Sequence, residues 1–205
     1  MSDTIHRTEN GESLEVHFNI PFNWVLLPHK LSSNNFDETI TEIANSLIAK
    51  NDLDEKLIAP IKLTLETLAP EVATDLASLV FIFKLNLEIV IAVISITMIE
   101  INPGNSDSMA LEALSAKLQE SQDGDLGARQ ISTHLIGGRD SLSVNRWSIE
   151  SGRPQEINEY CVYFGEINKM VVFSSSTSSF DHLEKVSDDI TELVHSFGII
   201  LARQQ

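Results

Sequence analysis

The stretch from Leu79 to Ile101, LVFIFKLNLEIVIAVISITMIEI, constrains this chain more than any other. It is crowded with Ile, Val and Phe, residue types that suit a pleated, buried surface. Lys84, Asn86, Glu88 and Glu100 interrupt it. Its longest uncharged piece, Ile89 to Ile99, is shorter than the ~20 apolar residues that a membrane helix needs. From Ile94 to Met98, Ser95 and Thr97 alternate with apolar neighbours, which is the period of a strand. The stretch therefore predicts two buried strands, roughly Leu79–Leu85 and Ile89–Ile101, joined as a hairpin through Asn86–Glu88.

The remaining patterns supply more strands and the helices to cover a sheet. Residues 1–12 are polar and are expected as a flexible tail, leaving 13–205 as a single domain. Leu14, Val16 and Phe18 alternate with polar residues as a half-buried strand. Phe36, Ile40, Ile43, Ala44, Leu47 and Ile48 form one helical stripe ending near Lys50. Asn35 and Glu38 stand at the spacing of a capping box before it. Leu57, Ile61, Leu65 and Leu68 continue in helical spacing, and Pro60 and Pro70 divide that region into short helices. Asn102-Pro103-Gly104-Asn105 is a turn, and Leu111, Leu114 and Leu118 mark a further helix.

The last third of the chain is rich in strands. Gly137-Gly138 separates Ala128–Ile136 from Leu142–Ile149. Gly165–Asn168 separates Ile157–Phe164 from Met170–Ser175. Both read as hairpins, because glycine reaches positive φ without strain. Leu183, Val186, Ile190, Leu193, Val194 and Phe197 form the stripe of a final helix, stopped at Gly198. The order predicts an α+β domain. Its mainly antiparallel central sheet is expected to be covered by helices on both faces, as an α/β/α sandwich.

Charge narrows the partners. Fourteen Lys and Arg stand against 30 Asp and Glu, a net charge of −16. Nucleic acid and anionic membranes reward clusters of Lys and Arg, and the sequence has none. The balance favours a cytoplasmic protein whose acidic surface meets a basic protein partner. A homodimer is also compatible, as symmetric pairing is the commonest assembly. The start MSDTIHRTENGES has no apolar run of the kind a secretory leader carries.

Signs of catalysis are missing. The six histidines show no metal-ligand spacing, and there is no Gly-x-Ser-x-Gly elbow or phosphate-binding glycine loop. Cys161, the single cysteine, lies within a predicted strand and reads as a buried thiol. No enzyme activity, cofactor or metal is expected. The interaction candidates are Trp24, Arg139, Arg146 and Trp147, since Trp and Arg concentrate at interface hot spots. Arg146 and Trp147 adjoin in a strand and so face opposite ways. The alternative is a small-ligand or lipid-binding module, with a pocket between sheet and helices lined by the Ile89–Ile99 run.

Several strings carry a resemblance: Pro21-Phe22-Asn23-Trp24, Gly137-Gly138 followed by Arg146-Trp147, Tyr160-Cys161-Val162-Tyr163-Phe164-Gly165, and Met170-Val171-Val172-Phe173-Ser174-Ser175-Ser176-Thr177 before a terminal helix. Together they resemble an uncharacterised actinobacterial family of similar length. Its wider fold looks like that of the Ran-binding Mog protein, PsbP of photosystem II and the mycobacterial lipoprotein LpqN. The resemblance covers about Leu14 to Phe197. It implies a non-enzymatic binding or accessory protein, and it offers no catalytic residues to carry over. The leader and lipobox cysteine of the lipoprotein branch are not expected here, as the sequence shows neither.

Overall fold

The computed structural model describes residues 2–9, 12–21, 24–30, 34–70, 75–85, 88–101, 111–112, 115–116, 126–127, 129–150, 153–177 and 183–202. The turns expected at Asn102–Asn105 and at Asn86-Leu87, and most of the helix expected around Leu114, lie outside these residues.

The Leu79–Ile101 run forms the predicted hairpin, β4 (Asp75–Leu85) with β5 (Glu88–Glu100). The pair is antiparallel, with Leu79 opposite Ile94 and Phe81 opposite Ala92. Further on, β6 (Gln130–Ile136), β7 (Arg139–Glu150), β8 (Arg153–Phe164) and β9 (Lys169–Thr177) follow the two expected hairpins. With the short β3 (Val25–Leu26), they form one antiparallel sheet in the order β3-β4-β5-β9-β8-β7-β6. β6, the next strand after β5 in sequence, lies at the far edge, beyond β9, β8 and β7.

Within the tail expected over residues 1–12, Ser2–Glu9 instead form a strand. β1 (Ser2–Glu9) pairs antiparallel with β2 (Glu12–Asn19), and β2 pairs on its other side with β10 (Gly198–Ala202). This second, three-stranded sheet was not foreseen. β1 is polar, so hydropathy alone hides it. Asn10-Gly11 is nevertheless a strong two-residue hairpin signal between the two strands.

α1 (Phe36–Lys50) matches its predicted stripe, with Ile40, Ala44, Leu47 and Ile48 buried. Asn35 occupies the N-cap position, but its side chain makes no capping bond, so the expected capping box is not formed. A 3-10 turn at Glu55–Leu57 leads into α2 (Ile58–Leu68). Pro60 sits in the first turn of α2, where its missing N–H costs nothing. α3 (Leu183–Ser196) is the final helix and ends just before β10.

Two main apolar clusters hold these elements. Leu79 and Phe81 of β4 share one with Val186, Ile190, Leu193 and Val194 of α3 and with Leu14, Val16 and Phe18 of β2. Val80, between them in the strand, belongs to the other, with Ile40 and Leu47 of α1 and Ile61 and Leu65 of α2. Burial of each such side chain contributes about 1.5–3 kcal/mol. Phe197 closes the first cluster by contacting the rings of Phe18, Phe164 and Phe173. The Ser196 hydroxyl accepts from the Asn19 amide at 2.9 Å, which fixes the end of α3 against β2. Trp24 joins the chain's two ends: it is 6% exposed, and its indole N–H donates to the buried Asp189 carboxylate at 2.7 Å.

Candidate functional site

The register places two kinds of surface at the β6 end of the larger sheet. Gln130, Asn145 and Asn158 stand in one cross-strand row, and Ser132, Ser143 and Tyr160 in the next. Trp147 lies opposite Glu156, and His134 opposite Ser141. The two-residue period of a strand puts all of these side chains on one face. Near β9 this face becomes more apolar, with Phe173 opposite Tyr160 and Val171 opposite Val162, while Asn158 meets Ser175. α3 borders the polar part at Tyr160, whose hydroxyl lies 3.2 Å from Thr191 Oγ1.

This polar face is internally bonded. Asn145 Nδ2 donates to Glu156 Oε1 at 2.5 Å and to Asn158 Oδ1 at 2.6 Å. His134 Nε2 lies 2.6 Å from Ser143 Oγ, and the His134 ring sits 6.3 Å from that of Tyr160. His134 is thus hydrogen-bonded within the sheet.

The second surface is the edge itself. Among the described residues β6 pairs with β7 alone. Its sequence, QISTHLI, carries no charge in a chain of net charge −16. Every residue from Ser132 to Leu135 is exposed, and Leu135 reaches 68%. Proteins usually shield such an edge with Lys, Pro or a bulge, because its free N–H and C=O groups template another strand.

A cavity of about 260 Å³ lies beside β6, between it and the helical residues Leu111, Glu112 and Ser115. Thr133 and Leu142, which pair across β6 and β7, form its sheet side, with Asp140 at one end. The Ile89–Ile99 run, expected to line a pocket, does not line this one.

The four interaction candidates are not brought together. Trp24 is a core residue committed to Asp189 and Phe81, so its ring offers no accessible anchor. Arg139, the first residue of β7, pairs with Glu166 and stacks over the Phe164 ring with its guanidinium 4.5 Å from the centroid. Partial burial pushes the Glu166 carboxyl up. Its backbone hydrogen bond and Arg139 outweigh that and hold it below the usual carboxylate range. Arg139 therefore ties the two hairpin turns together.

Arg146 and Trp147 do face opposite ways. Arg146 lies 3.8 Å from Glu159, the acidic partner that an inward-facing arginine needs. Trp147 alone of the four belongs to the polar face. Sequence reading missed Asn145, Glu156 and Asn158, because nothing local to three separated polar residues says that strand register will align them.

Cys161 is buried, and desolvation pushes its thiol up to about 12, as expected of an inert thiol. Among the described residues no group of His, Cys, Asp or Glu is arranged to hold a metal. No described helix is long and apolar enough to cross a membrane.

No family model and no curated protein matches the chain. Among solved structures it is similar to LpqN of Mycobacterium tuberculosis, a protein involved in cell envelope biogenesis. That match has a TM-score of 0.53 at 11% identity and covers 97% of this chain and 90% of LpqN. The chain therefore has an LpqN-like fold of the α+β class, built on a mostly antiparallel sheet. A protein of unknown function from Pseudomonas aeruginosa, PA94, matches with a TM-score of 0.34 at 15% identity, over 62% of this chain and 84% of that one.

Proposed function

We propose that this chain is a non-enzymatic accessory domain that binds another protein at the β6 end of its larger sheet. The observation that carries this reading is the exposed, uncharged edge of β6 in a strongly acidic chain. An edge of that kind accepts an extended segment through main-chain hydrogen bonds, and its flanking side chains select the sequence. The polar face around Trp147 supplies such side chains.

The same proposal includes helices on both faces of the larger sheet, as in a Mog/PsbP-like sandwich, and kinship with the actinobacterial family. The split of Leu79 and Val80 between two helix-containing clusters supports the first. The LpqN likeness supports an accessory role linked to the cell envelope. The acidic composition supports a cytoplasmic location. Fractionation of host cells separates the two.

The test is photo-crosslinking in the native host from position 134, with position 63 as control. Leu63 is 65% exposed on α2, which packs with Val80 of β4 at the other end of the sheet order. A specific adduct from 134, absent from 63 and lost in Thr133→Lys, is expected. Identical adducts from both positions would overturn the reading. The cavity favours a second reading, a small-ligand module, which a bound mass in gently purified protein would support.

A further inference from the structure

We infer that the partner segment presents a lysine or arginine side chain to the cavity beside β6; this rests on the edge-binding reading above. A strand added to β6 sends alternate side chains to the two faces of the sheet. On the face of Thr133 and Leu142 it passes the cavity of about 260 Å³. Ligand pockets for drug-sized molecules run from ~300 to ~1,000 Å³, so this one suits a single long side chain. Leu111 and Leu142 make the interior apolar, and Glu112 and Asp140, both exposed, supply carboxylates at the rim.

An apolar channel ending in carboxylates fits the aliphatic stem and cationic head of Lys or Arg. Among the described residues one histidine, His134, lines it, and strand alternation turns its imidazole to the other face, where it bonds to Ser143. A second copy of this chain fits poorly. Its β6, QISTHLI, brings no Lys or Arg, and each copy carries −16.

The test is a titration of the whole isotope-labelled protein with short alternating Thr/Val peptides carrying a central Lys, norleucine or Glu, followed by amide NMR shifts. The Lys peptide is expected to shift β6 amides and to bind about tenfold tighter than the norleucine peptide. The double variant Glu112→Gln/Asp140→Asn should bind both equally and keep the native spectrum. General attraction to an acidic surface would survive that variant, because it removes only two of 30 acidic residues. Equal binding of Lys and norleucine peptides to the unmodified protein, or a Lys preference that persists in the variant, overturns the cavity inference while leaving edge binding in place. No shift in β6 with any peptide overturns both, as does a peptide-free dimer whose β6 amides are already protected.

Discussion

At the scale of single residues, the most consequential contact is the bond from Trp24 to Asp189. It joins a residue before β3 to the middle of α3, 165 positions apart. Hydrogen bonds to a charged acceptor contribute about 1.5–3 kcal/mol, and a buried acceptor makes the loss costly. Trp24→Phe keeps an aromatic ring against Phe81 but removes the indole donor. The expected loss of stability is about 2 kcal/mol, read as a lower urea midpoint with unchanged slope. A change under about 0.5 kcal/mol would show that the bond adds nothing. The sequence singled out Trp24 as an interaction candidate, and the structure buries it. Its partner lies so far along the chain that only tertiary packing brings the two together. Cys161 was legible for the opposite reason: its place in an apolar strand sufficed to predict burial.

At the scale of elements, the hairpins were the most legible features, because turn chemistry is local. Gly137 and Gly138 have φ of +57° and +77°, the conformation that a two-residue turn between β6 and β7 requires. A Cβ at Gly138 would meet nothing within 4 Å, so a substitution there is opposed by backbone conformation alone. Gly138→Ala is expected to cost about 1 kcal/mol in thermal or urea unfolding, without a change in binding. A neutral result would mean that the turn relaxes to another type. β1 and β10 were missed because their strand character comes from pairing with β2 rather than from a period of their own. The Asn10-Gly11 signal was the one local clue to β1.

At the scale of the whole molecule, alternation in the strands made a large antiparallel sheet predictable, and the helical stripes made α1, α2 and α3 predictable. The order of strands was not legible. That β5 lies beside β9, and that β6 is left at the edge, depends on which distant strands bury each other's apolar rows. The proposed binding surface is a product of that order. The same QISTHLI segment in a central position would have no free edge to offer. On the proposed reading, a net charge of −16 would steer basic segments toward that edge and repel further copies.

The central claim is that β6 presents an open edge. The measurement that tests it most directly is residue-resolved amide hydrogen exchange on the purified protein. In an antiparallel edge strand, alternate amides bond the neighbouring strand and the rest point outward. The expected result is a two-residue alternation in β6, with outward amides exchanging near the unstructured rate. β8, flanked by β7 and β9, should be protected at nearly every position. Uniform protection along Gln130–Ile136, matching that of β8, would contradict the account, because the edge would then already be covered.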